Sequence, residues 1–200
     1  MTNNIVFVSS KFRSRPSLEF IQVGGEKIKP KSSARNLGVI IDQYLDLTNH
    51  VKKICVSCHY HLRNIGKIRR FLSEETSEIL VHAFISSKLD DCNSLLYALP
   101  KQLLNRVRSI QSTAAPIVTL SKRFDHITPI VFKLHWLPLN YCIHFKILLL
   151  VYKCLNGLAP IYLSELLRYS NSPRLLRSSS QNFLSVPRSR SRRLVIGLFP

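Results

Sequence analysis

SEETSEILVHAFISSKLDDCNSLLYALP, residues 73–100, contains a helix start, an apolar stripe and a stop. Ser73 is placed to cap the unpaired backbone N–H groups of a first turn, and Glu74, Glu75 and Glu78 stand where a helix dipole favours negative charge. Val81, Ile85, Leu89, Cys92, Leu96 and Leu99 follow at steps of three or four, which puts them on one face, and Pro100 stops the run. One long helix is expected, or two with a break near Asp90. A second apolar row, Leu80, Phe84 and Leu95, widens the stripe enough to predict neighbours on two sides. Lys88-Leu89-Asp90-Asp91 offers adjacent carboxylates, but neighbours on a helix point about 100° apart, unlike the paired aspartates of a two-metal centre. Asp90 is expected to pair with a cation or cap the break and Asp91 to be solvated, so no catalytic residue and no metal site is assigned to the stretch.

On its N-terminal side the period is also helical back to Thr48. Val51, Ile54, Cys55, Cys58, Leu62 and Ile65 make an apolar face, while Lys52, His59, Arg63, Lys67 and Arg70 form a basic stripe. Gly66 to Arg70 is expected to fray. Before Thr48, Leu18 to Ile28 reads as a hairpin around Gly24-Gly25, because paired glycines supply the positive φ of a two-residue turn. A basic loop, Lys29 to Arg35, then leads to a buried strand, Leu37 to Ile41, ended by Asp42. Three strands are too few to stand alone.

On the C-terminal side, Leu103, Leu104, Val107, Ile110 and Ala114 face one way and Arg106 and Arg108 the other, with Pro116 expected to kink or end the helix. Thr128-Pro129 reads as a cap and first helical residue, and His135-Trp136 as a packed corner with its indole N–H satisfied locally. A helix over Leu139 to Asn156 should turn Ile143, Ile147, Leu150, Val151 and Cys154 inward and stop at a left-handed Gly157. Pro160 opens a short helix through Leu167, and beyond Tyr169 a Ser/Arg-rich tail is expected to be flexible.

The charge is lopsided. Of a formal +18 over 200 residues, residues 1–100 hold 14 Lys/Arg against 9 Asp/Glu, and residues 101–200 hold 15 against 2. Such imbalance implies a polyanionic partner, nucleic acid first and an anionic membrane surface second, because each cation that neutralises a phosphate releases counterions. No signal peptide or bilayer-spanning run is legible; the longest apolar run is bounded by Lys146 and Lys153. Five cysteines, an odd number, lie within apolar helical stripes and read as reduced, buried thiols. Cys55-Val56-Ser57-Cys58-His59 has the spacing of a haem-attachment motif, and with His61 hints at zinc. Neither is adopted, since no export signal and no second ligand pair accompany it. Asp125-His126 lacks a nucleophile elbow, so no hydrolase is read from it.

Several stretches taken together resemble a known family. Ala34-Arg35-Asn36-Leu37-Gly38-Val39, His61-Leu62-Arg63-Asn64-Ile65, Leu89-Asp90 with Cys92-Asn93, Arg123 to Pro129, Leu134-His135-Trp136-Leu137-Pro138, and Phe145 to Leu150 running on to Gly157-Leu158-Ala159-Pro160 are similar, in the same order, to the C-terminal part of the reverse transcriptase of jockey-like non-LTR (LINE) retrotransposons. The resemblance covers about residues 20–187. It implies the end of a palm with Leu37, Gly38 and Val39 near the primer grip, followed by a helical thumb. The family's catalytic aspartates, and with them its Mg²⁺, would lie upstream, which implies a truncated copy without polymerase activity.

The expectation is therefore a mainly α chain: a thumb-like helical bundle preceded by a small antiparallel hairpin or three-strand piece. Its divisions are a palm-end segment at 1–47, a helical domain at 48–170 and a basic tail at 171–200. Expected contacts to the backbone of RNA or an RNA/DNA duplex are Lys52, Arg63, Lys67, Arg69, Arg70, Arg106, Arg108, Lys122 and Arg123, independent of sequence. No cofactor or membrane association is expected, the location is nuclear or cytoplasmic, and association with palm and fingers in trans is allowed. A helical interaction remnant with no nucleic-acid role is the alternative.

Overall fold

The computed structural model describes residue 5 and residues 20–23, 25–97, 99–122, 125–169 and 184–185. It is mainly helical, with small antiparallel β structure ahead of the helices. Strands β1 (Ile21–Val23) and β2 (Glu26–Ile28) pair with Val23 opposite Glu26, and Gly25 has φ +90° as the two-residue turn requires. Gly24 lies outside the described residues.

The expected single strand over 37–41 is instead a second hairpin. β3 (Ser33–Asn36), inside the presumed loop, pairs with β4 (Val39–Asp42), and Leu37-Gly38 is the turn between them with φ of 45° and 90°. Both turn residues are left-handed because that backbone twist matches the strands. Only Gly fits the second place, where an added Cβ would also stand 3.3 Å from an Asp91 carboxylate oxygen. The β piece is thus two two-stranded sheets and not three strands. Asp42 ends β4, where its Oδ1 accepts the N–H groups of Tyr44 and Asp46; burial pushes its carboxyl above the usual range.

Helix α1 (Thr48–Ile68) buries Val51, Cys55, Cys58, Leu62 and Ile65 as the period predicts. It also buries His50, whose Nδ1 accepts the Ile40 N–H at 3.4 Å. Residues 66–70 do not fray: α1 runs to Ile68 and tightens into a 3₁₀ turn, Arg69–Phe71. In α2 (Glu74–Val81), Ser73 caps as expected, its hydroxyl accepting the Thr76 N–H at 3.1 Å.

The stripe that follows is not one uninterrupted helix. A π-turn, His82–Ser86, separates α2 from α3 (Ser87–Asp90), and Cys92 turns left-handed before a 3₁₀ segment, Asn93–Leu96. Val81, Ile85, Leu89 and Leu96 are buried, but Phe84 and Leu95 of the second row are exposed. The wider π-turn breaks the 3.6-residue register that would have carried Phe84 inward.

Helix α4 (Lys101–Thr119) passes through Pro116 instead of ending there, and buries Val107, Ile110, Ala114, Ala115 and Val118. α1 and α2 pack on α4, and the Arg69 guanidinium donates to the Ile117 and Val118 carbonyls just past the proline. α5 (Ile127–Lys133) starts one residue before Thr128, so Pro129 lies within its first turn, where no N–H is missed. The Trp136 indole N–H is satisfied, though at long range, by Glu78 Oε1 at 2.9 Å.

α6 (Leu139–Leu155) ends at a left-handed Gly157, and α7 (Ile161–Ser164) follows Pro160. Only Leu139 and Ile143 of α6 are buried, and Leu150, expected inside, is exposed. Two compact units result: Met1–Cys92 with Leu99–Trp136, and Asn93–Ala98 with Leu137–Pro200. The first has its core among α1, α2 and α4, and the second packs α6 on the Asn93–Leu96 turn and on α7. Apart from Leu184 and Ser185, the 171–200 tail lies outside the described residues.

Candidate nucleic-acid interface

Residues 52, 55, 56, 59 and 63 fall on one side of α1, since steps of three, four and seven return to the same face. Together with Arg106 and Ser109 of α4, one turn apart, they line an open cleft of about 340 Å³. Cys55 joins the helices at its floor, with Sγ 3.8 Å from the Arg106 carbonyl oxygen. Lys52, Arg63 and Arg106 are exposed, and no Asp or Glu is among the lining residues. Arg63 Nε donates to its own helix at His59 O, 3.4 Å away. Three predicted contact residues from two helices therefore meet at one place. Ser109, which no motif marks in the sequence, joins them because it follows Arg106 by three residues.

The remaining candidates divide. Lys67 is exposed one turn beyond Arg63 on the same stripe, and Arg70 is exposed with its guanidinium 4.7 Å above the Phe71 ring centre. Arg108 and Lys122 are exposed but do not line the cleft, and Arg123 lies outside the described residues.

Arg69 is a correction. It is 6% exposed, and its guanidinium donates to Ile117 O (2.9 Å), to Val118 O (2.6 Å from Nη2) and to Leu72 O (2.6 Å). The last carbonyls of α4 have no helical partner and carry the negative end of its dipole, so a buried cation there closes the helix and is unavailable to phosphate. Nor do Leu37, Gly38 and Val39 form one surface: Leu37 is 90% exposed in the turn, Val39 is buried, and none of the three lines the cleft.

The Cys/His motif also separates. Cys55 and Cys58 are buried, and burial pushes both thiols up, Cys58 to about 11. His59 reaches the cleft, whereas His61 stacks on Phe84 with ring centres 5.0 Å apart and accepts from Lys88 Nζ at 3.0 Å. Loss of solvent, helped by the Lys88 charge, lowers the His61 pKa. Lys88 also donates to Ser57 Oγ at 2.6 Å, a pairing that spans 31 residues and has no local signal. Among the described residues no group of three or more His, Cys, Asp or Glu side chains could hold a metal ion, and no helix is long and apolar enough to cross a membrane.

Fold and cleft together define a mainly helical protein with an open basic groove. The chain matches no family model, no curated protein and no solved structure.

Proposed function

We propose that the chain is a nucleic-acid-binding helical module, the palm-end and thumb-like part of a LINE-type reverse transcriptase, holding RNA or an RNA/DNA duplex by its phosphates. The observation that carries this reading is the α1/α4 cleft, which gathers Lys52, Arg63 and Arg106 with no carboxylate among its lining residues. Exposed Lys67 and Arg70 extend the same face along α1 and the turn after it. Contacts of this kind fix a duplex without reading its bases. Polymerase activity is not assigned, because the resemblance puts the catalytic aspartates and their Mg²⁺ in a part of the family that these residues do not match. The module works where nucleic acid is, in nucleus or cytoplasm.

The test is binding of a fluorescent RNA/DNA duplex to the whole chain across a salt series. Each neutralised phosphate contributes about 0.9 to the slope of log K against log salt on a duplex, so Lys52→Ala/Arg63→Ala/Arg106→Ala should flatten it by roughly 2 to 3. A flat response in the native chain, or an unchanged slope in the triple variant, rejects the cleft. Template-directed nucleotide incorporation by the purified chain would overturn the non-catalytic part.

A second reading, a helical interaction protein with no nucleic-acid role, is favoured by the large apolar side chains that α6 exposes. Absence of duplex binding at low salt, combined with retained folding, selects it.

A further inference from the structure

Tyr141, Phe145, Leu148, Tyr152 and Leu155 of α6 follow one another at steps of four, three, four and three. That is the 3.5-residue period of a coiled-coil seam. All five are exposed, from 41% at Leu155 to 65% at Leu148. The helix buries Leu139 and Ile143 on another side, so it is apolar on two sides and covered on one. An apolar side left uncovered calls for a partner surface, and this helix is too short, with Lys146 and Lys153 within it, to find one in a bilayer.

We infer that the seam pairs two copies of this chain, α6 against α6, antiparallel about a twofold axis at Leu148. Leu148 lies seven residues from both Tyr141 and Leu155, so the twofold sets Tyr141 of each copy against Leu155 of the other and packs a larger side chain on a smaller one. The flanking positions of the seam, Cys142, His144, Leu149, Val151 and Asn156, carry no Asp, Glu, Lys or Arg. A seam made for an acidic helix would place cations there. This one neither selects a charged partner nor repels its own copy, and Lys146 and Lys153 stand one position farther out.

The size also fits. At about 150–250 Å² for a large side chain fully buried, the exposed parts of the five offer roughly 500–600 Å² per copy. Two copies bury on the order of 1,100 Å², the low end for specific interfaces, which predicts a concentration-dependent dimer. This inference does not depend on nucleic-acid binding.

The experiment is sedimentation equilibrium of the whole chain, freed of nucleic acid at high salt, over a range from about 1 to about 200 μM. The native chain should pass from monomer to dimer mass. Leu148→Glu, which sets two carboxylates together at the axis, and Tyr152→Glu should each raise the dissociation constant more than tenfold. Lys146→Glu, off the seam, should leave it unchanged. Leu148 and Tyr152 are exposed, so both variants should keep the native far-ultraviolet spectrum. A native chain that stays monomeric at the top concentration overturns the inference whatever the variants do. So does a dimer indifferent to whichever seam variant folds, or a monomer that floats with phosphatidylserine vesicles through the same residues.

Discussion

Helices α1 and α6 are similar in length and opposite in design. α1 divides into a buried stripe, Val51, Cys55, Cys58, Leu62 and Ile65, and a solvent stripe that carries Lys52, Arg63 and Lys67. α6 has apolar side chains on every side and buries only Leu139 and Ile143. A sharply two-faced helix announces which side is core, because water and the interior select different residues. A helix with apolar residues around most of its circumference does not, and that is why Leu150, expected inside, is exposed while Ile143 is buried. The first helix is satisfied within its unit, and the second has apolar surface to spare.

The contrast can be broken most directly by truncation. At about 1 μM, where the chain is monomeric, Leu62→Ala on α1, 2% exposed, should cost about 3 kcal/mol in urea unfolding, whereas Leu148→Ala on α6 should stay within about 0.5 kcal/mol. Equal costs would erase the distinction. Next in size is the arginine pair that follows α1. Arg69→Met, which strips three carbonyls of a charged donor, should destabilise by about 2–3 kcal/mol, and Arg70→Met by less than about 0.5 kcal/mol. Arg69→Met should also leave the salt dependence of duplex binding as it was, since its guanidinium faces α4 and not solvent.

A smaller effect is read from pH. Burial holds His50 below its ordinary pKa of 6.5, helped by Lys53 and opposed by Asp91. Between the folded value and 6.5 the unfolded chain binds the extra proton, so stability should fall as pH drops through that window. His50→Asn keeps an acceptor for the Ile40 N–H but cannot titrate. Its unfolding midpoint between pH 7 and pH 5 should therefore move less than the native one; an identical shift would remove His50 from the account. The smallest effect is a gain. Leu37→Asn places in the β3–β4 turn a residue that accepts the left-handed region and removes an exposed leucine, and should stabilise by about 0.5 kcal/mol.

What local patterning controls was legible before any coordinates. The Ser73 cap, the β1–β2 hairpin with its left-handed Gly25, the buried face of α1 and the left-handed stop at Gly157 follow from rules that act over four residues or fewer. The basic residues of the cleft could be listed but not grouped, because Lys52 and Arg63 meet Arg106 only when α1 lies on α4. Sequence spacing also gave no reason to set Arg69 apart from Arg70, its neighbour in a basic run; the difference is the α4 C-terminus that packs against one and not the other.

By itself, then, the order of residues determined which segments are helices, which face of each two-sided helix is dry, and the strong positive charge. Contacts across tens of residues decided the rest: the π-turn that brings Phe84 out, the passage of α4 through Pro116, and the division of the cations into a surface cleft and a buried helix clasp. The reason is physical. Periodicity encodes burial along one helix, whereas the partner of a charged group is fixed by whatever the folded chain sets beside it.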